Sequence, residues 1–151
     1  MEGKSHIRIR EMTIADYDEV IALWRGAEGL GLGVSDSREN LARYLDRNPG
    51  MSFVARDGSA LVGAVNCGTD GRRGYLSHLA VRRSHRMRGL GRTLVERCLA
   101  ALKRFGIPRC NLFVYADNAG ALAFWRKLGW QSWEERGVRG MSIDVEDIGS
   151  D

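Results

Sequence analysis

The stretch "HRMRGLGRTLVERCLAAL", residues His85 to Leu102, decides how this chain is read. Its second part is apolar at helical spacing. Leu90, Leu94, Val95, Cys98, Leu99 and Leu102 fall on one face, and Glu96, Arg97, Lys103 and Arg104 on the other. That pattern predicts a helix laid against a core and stopped at Gly106. Its first part is a basic turn with glycine at 89 and 91. N–H groups that open a helix have no internal acceptor and carry the positive end of its dipole, so a turn in that place suits phosphate oxygens. Gly89 and Gly91 let the backbone approach an anion closely, and Arg86 and Arg88 add charge-assisted donors. The spacing alone fits a plain surface turn equally well. Neither standard nucleotide loop is matched, since there is no G-K-[ST] and no third glycine.

Working outward, "HIRIREM" alternates Ile7 and Ile9 with Arg8 and Arg10, as a half-buried strand does. Thr13 then caps a helix over "IADYDEVIALWRGA", with Tyr17, Val20, Ile21 and Trp24 at helical spacing. A glycine-rich loop follows, and Ser37 caps a second helix with Leu41, Tyr44 and Leu45 inward, ending near Asn48, Pro49 and Gly50. "MSFVARD", "ALVGAVNCG" and "YLSHLAV" read as an antiparallel meander turning at Asp57 to Ser59 and at Asp70 to Gly74. Beyond the opening stretch come a strand, "RCNLFVY", suited to parallel pairing with the strand ending at Val81, and a helix from Asn118 to Gly129. "QSWEERGVRGMSIDV" predicts a last strand pair turning at Gly137. The expected class is α/β, with a mixed, mostly antiparallel sheet flanked by helices in the order βααβββαβαββ, as one domain over residues 1–151.

At 151 residues and 44% hydrophobic content the chain has material for one buried core. It holds no run of about 18 apolar residues and no basic-then-apolar leader, so a cytoplasmic protein with no membrane partner is expected. Cys67, Cys98 and Cys110 are odd in number and lack a CxxC pair, and His6, His78 and His85 lack ligand spacing. Buried reduced thiols and no metal are therefore expected. The formal charge is +4, but Arg82, Arg83, Arg86, Arg88 and Arg92 crowd one short segment, and taking those five away leaves −1. Basicity this local favours a compact anionic group, and nucleic acid is not expected as a partner.

"LAVRRSHRMRGLGRTLV" resembles the coenzyme A loop of the GNAT N-acetyltransferases, whose [QR]-x-x-G-x-[GA] is met by Arg86, Gly89 and Gly91. A second motif of that family, N-x-x-A-x-x-F-Y-x-x-x-G-[FWY], is similar to "NAGALAFWRKLGW", with Asn118, Ala121, Phe124, Gly129 and Trp130 in place and Trp125 where the tyrosine stands. The hairpin "GTDGRRG" also looks like that of a bacterial branch of the family.

The resemblance implies an N-acetyltransferase that moves an acetyl group from acetyl-CoA directly to a primary amine, as a monomer or homodimer. It implies that Met87, Arg88, Gly89, Leu90, Gly91 and Arg92, with Arg86, meet the cofactor's phosphates, that Asn118 hydrogen-bonds the cofactor or caps its helix, and that Leu79, Ala80 and Val81 flank the cofactor's arm in a gap between the strands holding His78 to Val81 and Leu112 to Tyr115. The family's strand carboxylate is missing from "YLSHLAV". His78 has a suitable ordinary pKa for a base, although strand alternation places it opposite Ser77 and Leu79. An indole N–H is too weak an acid to replace the tyrosine at Trp125, which leaves Tyr115 or solvent to protonate the thiolate. A catalytically weak acyl-CoA-binding module and, further off, a nucleic-acid-binding domain are the alternatives.

Overall fold

Four of the five strands follow from alternation and turn chemistry alone. In the computed structural model, which describes residues 6–145 and Gly149, they are β1 Ile7–Glu11, β2 Phe53–Asp57, β3 Ala60–Thr69, β4 Gly74–Val81 and β5 Cys110–Asn111. The sheet order is β1-β2-β3-β4-β5, antiparallel except for the parallel β4–β5 pair; the β2–β3–β4 meander and that parallel pair are as the sequence predicts. Asp70 shapes the β3–β4 turn by accepting hydrogen bonds from the N–H groups of Arg72 and Arg73. The chain divides into two units, Met1–Tyr115 and Ala116–Asp151. The sheet belongs to the first.

Three helices dress the sheet: α1 Tyr17–Arg25, α2 Arg38–Arg47, whose first turn is capped by the Ser37 hydroxyl, and α3 Leu90–Arg104. Val20, Ile21 and Trp24 of α1 and Leu41 of α2 are buried over Val54, Leu61, Ala64 and Ala80. The opposite face carries α3, which buries Leu94, Val95, Cys98, Ala101 and Leu102. A side chain at Gly63 would begin 3.1 Å from Leu94 Cδ1, so glycine there lets α3 sit close. Leu99 departs from expectation and is exposed. Cys67 and Cys98 are buried and Cys110 is half-buried, and burial pushes the Cys110 thiol up to about 12. Among the described residues no helix is long and apolar enough to cross a membrane.

Asp16 ties β1 and β2 to the start of α1. It is 2% exposed and takes two bonds from Arg10 at 2.8 and 2.6 Å, one from Arg56 at 3.0 Å and one from the Thr13 N–H at 2.9 Å. Burial alone would raise its pKa, but these donors outweigh burial and hold it at about 2.

Three expectations are corrected. "RCNLFVY" is a strand only over Cys110–Asn111, because β4 pairs with it no further than Tyr75 opposite Asn111. The last strand pair does not form within residues 131–145, where Glu134–Arg136 makes a 3-10 turn closed by Gly137. Val138, Met141, Ile143 and Val145 lie exposed, so none of the described residues buries the face that would make them a strand. Alternation also fails along β4: Ser77 pairs with Asn66 and Ala80 with Ala64, so His78 and Leu79 together stand opposite the single residue Val65. That is a β-bulge, and it re-aims His78.

The second unit holds α4, Ala119–Lys127, capped by the Asn118 side chain, which accepts from the Ala121 N–H at 3.0 Å. Trp125 stands edge-on to Phe124, with ring centroids 4.9 Å apart, and to Trp130 at 5.2 Å.

Candidate functional site

Two non-glycine residues among those described have left-handed backbones, His78 (φ 53°) and Met87 (φ 63°). An L-residue there costs roughly 1–2 kcal/mol, and such strain collects at functional sites.

Met87 lies in the glycine loop, its side chain fully exposed. The loop leaves β4 through a short turn, Arg83–His85, and Gly89 (φ 76°) opens α3. The first N–H to reach a helical carbonyl is that of Thr93, which donates to Gly89 O at 3.0 Å. Among the described residues, the N–H groups of Met87 to Arg92 have no backbone acceptor. Arg86 Nε donates to Val81 O at 3.0 Å and so pins the loop to the end of β4. His85 Nε2 pairs with Asp57 at 2.8 Å, tying the loop to the β2–β3 hairpin. Arg83 pairs with Glu28 and Arg92 with Glu96, whereas Arg82 and Arg88 meet no carboxylate among the described residues.

Beside the loop, β4 presents an open edge. Its pairing with β5 ends at Tyr75, so Leu76 to Val81 have no strand neighbour on that side. Ala80 is buried in the core, Leu79 is half-buried, and Val81 joins Arg82, Arg83 and Arg86 in lining a cavity of ≈ 340 Å³ against α1.

His78 occupies the bulge. Its Nε2 lies 2.8 Å from Asp36 Oδ1, and its ring stands edge-on to buried Trp24 with centroids 4.9 Å apart. Asp36 is itself fixed, since its Oδ2 accepts from the Gly33 N–H at 2.9 Å and its carbonyl accepts from the Tyr17 hydroxyl. With the carboxylate accepting at Nε2, the neutral ring keeps its lone pair on Nδ1. Ser77 and His78, which alternation would set on opposite faces, line one cavity of ≈ 470 Å³ with Asp36 and Asn66. α2 supplies its wall through Asn40, Arg43, Tyr44 and Arg47, residues three and four apart on one face. Asn66 is 6% exposed, and its Oδ1 has no hydrogen-bond partner among the described residues.

The other expected residues are more scattered. Tyr115 is exposed and lines neither cavity; its hydroxyl lies so close to the backbone of Gly31 that a side chain there would begin 2.8 Å away. Asn118 and Trp125 belong to the second unit, Asn118 as a cap and Trp125 within an aromatic cluster. In the sequence Asp36 reads either as an attractor of a cationic amine or as an exposed loop charge, and nothing there pairs it with His78, its partner in the structure. Sequence reasoning passes over Asn66, whose one signal is an amide inside the apolar run "ALVGAVNCG".

The description "Acetyltransferase (GNAT) family" matches this chain over residues 17–130. An acetyltransferase of Yersinia enterocolitica is 32% identical over 126 residues, covering 83% of this chain and 89% of its own length. An acetyltransferase of Sodalis glossinidius is 31% identical, covering 83% and 87%. Among solved structures, the PaiA N-acetyltransferase of Thermoplasma acidophilum, determined in complex with coenzyme A, shares the fold with a TM-score of 0.74 at 22% identity, over 83% of this chain and 89% of that one. A GNAT-family acetyltransferase of Streptococcus pneumoniae gives 0.73 at 22% identity, over 93% and 99%.

Proposed function

We infer that this chain, which belongs to the acetyltransferase (GNAT) family, transfers the acetyl group of acetyl-CoA to a primary amine within a ternary complex. One observation carries this reading: a single strand, β4, ends in a loop of unpaired N–H groups, leaves its outer edge open beside that loop, and bulges at a histidine held by a carboxylate. The family match runs through both units, which supports reading residues 1–151 as one catalytic domain.

The residues fit the donor. Six N–H groups from Met87 to Arg92 at the start of α3, with Arg88 uncommitted beside them, suit a pyrophosphate. Arg86, bound to Val81 O, holds that cradle in place. The open edge of β4 at Leu79 and Val81 offers main-chain groups to an extended arm, and Ala80 between them turns to β3. The donor supplies a thioester, in which the C–S bond breaks as the amine nitrogen forms the new C–N bond and the thiolate leaves with the electron pair.

The amine must lose a proton to react, because an alkylammonium has no lone pair. His78 Nδ1 accepts that proton, and Asp36 fixes the tautomer and steadies the imidazolium that results. Asn66 Oδ1 offers an acceptor for an amine N–H in the same cavity. A thiol's ordinary pKa near ~8.5 lets the thiolate leave without a side-chain acid, so Trp125 in the tyrosine position serves packing against Phe124 and Trp130. Tyr115 does not line the histidine cavity and is assigned no proton transfer. Free-thiol release from acetyl-CoA across an amine panel tests the reading: amine-dependent release supports it, and tight acetyl-CoA binding without turnover of any amine identifies a binding module instead.

A further inference from the structure

We propose that the acceptor is a small amine that also carries a carboxylate, and that Arg43 and Arg47 of α2 recognise the carboxylate. The proposal rests on the reading of the His78 cavity as the acceptor site and adds the chemical class of its occupant. The cavity, ≈ 470 Å³, falls in the size range of small-molecule sites. Its polar groups divide by charge. Around the bulge stand Asp36, already committed to His78, and the unpartnered Oδ1 of Asn66, a set suited to a nitrogen that brings donors. Along α2 stand two guanidinium groups one turn apart, and neither meets a carboxylate among the described residues.

Arg43 is steadied by the side-chain oxygen of Asn40, whose amide in turn donates to Val34 O at 2.8 Å. Arg47 has no such tether among the described residues. An arginine oriented by its neighbour loses less entropy when it closes on an anion, and two in register offer the planar fork that carboxylates match. Asn66 sharpens the assignment. It is more than nine-tenths buried, and a buried amide oxygen without a donor is costly unless a ligand or water satisfies it. An amine whose N–H reaches Asn66 Oδ1 while its carboxylate reaches α2 satisfies both ends of the lining. A plain alkylamine leaves the arginines unanswered, and a cationic polyamine is repelled by them.

The test is calorimetric titration of the protein, saturated with coenzyme A, with short amino carboxylic acids and their matching carboxamides, repeated for Arg43→Gln/Arg47→Gln. Aminoalkyl phosphates form a second arm. The expected result is binding of at least one amino carboxylate about 10-fold or more tighter than its carboxamide, with the preference lost in the double variant. Both arginines are exposed, so the variant should keep its melting temperature. Equal affinity for carboxylate and carboxamide overturns the proposal, as does a preference that survives in the double variant. Tighter binding of aminoalkyl phosphates than of any carboxylate overturns the carboxylate assignment in favour of phosphate. Thiol release measured alongside separates the two layers. Binding preference without turnover refutes catalysis and leaves the recognition standing; turnover without preference does the reverse.

Discussion

His78 and Asp36 lie 42 positions apart in the chain, and the chemistry assigned to this protein depends on their meeting. Replacing His78 by Gln keeps a polar side chain but removes the proton acceptor. The expected loss in kcat is about 10²- to 10⁴-fold, the usual worth of a general base, with the acetyl-CoA thermal shift unchanged. Rate and melting measurements on the same preparation check both parts. Asp16 makes a stability prediction of a different kind. Its folded-state pKa of about 2 lies below the ordinary 3.8, so its ionised form stabilises the fold. That contribution is complete above the ordinary value and disappears as pH falls towards about 2. The shift corresponds to roughly 2 kcal/mol. Denaturant titrations at neutral pH and near pH 2 should show Asp16→Asn less stable than the parent at neutral pH, with the gap narrowing in acid. A constant gap would mean that the Arg10–Asp16–Arg56 cluster contributes through packing alone.

Among the elements, α3 and the loop before it make the most exposed prediction. Gly91→Val places a branched side chain on the first turn of α3, where the unpaired N–H groups are assigned to the pyrophosphate. Acetyl-CoA at about 100 times its Kd should stabilise the parent by about 2.7 kcal/mol, which for a chain of this size raises Tm by roughly 5–10 °C. The variant should fold and lose most of that rise; an undiminished rise would move the donor elsewhere. In α4, Trp125→Tyr should preserve or increase the rate at low pH, because it restores a hydroxyl at the family position. A large loss in a folded variant would show that the indole does more than pack. The helices were legible because each buried face is written locally: Val20, Ile21 and Trp24, or Leu94, Val95 and Cys98, lie within their own element. Strands depend on distant partners, and the reading failed where those partners part or are missing. "RCNLFVY" was cut to two residues where β4 left it, the pair expected over 131–145 found nothing to cover it, and the bulge opposite Val65 reversed the side assigned to His78.

For the whole molecule, the residues proposed for the donor stand together in the sequence and those proposed for the acceptor do not, for a physical reason. Phosphate recognition at a helix start uses consecutive backbone groups, so Arg86, Gly89 and Gly91 appear together in sequence. The proposed amine site gathers Asp36 from the glycine-rich loop, Arg43 and Arg47 from α2, Asn66 from β3 and His78 from β4, a set that only folding assembles. The most direct test of the central claim is amine-dependent thiol release from acetyl-CoA, measured side by side for the parent and His78→Gln, each shown to bind acetyl-CoA. The account predicts release that requires an amine in the parent and falls at least about hundredfold in the variant. Equal rates in the two proteins, or no amine that the parent acetylates, would contradict it.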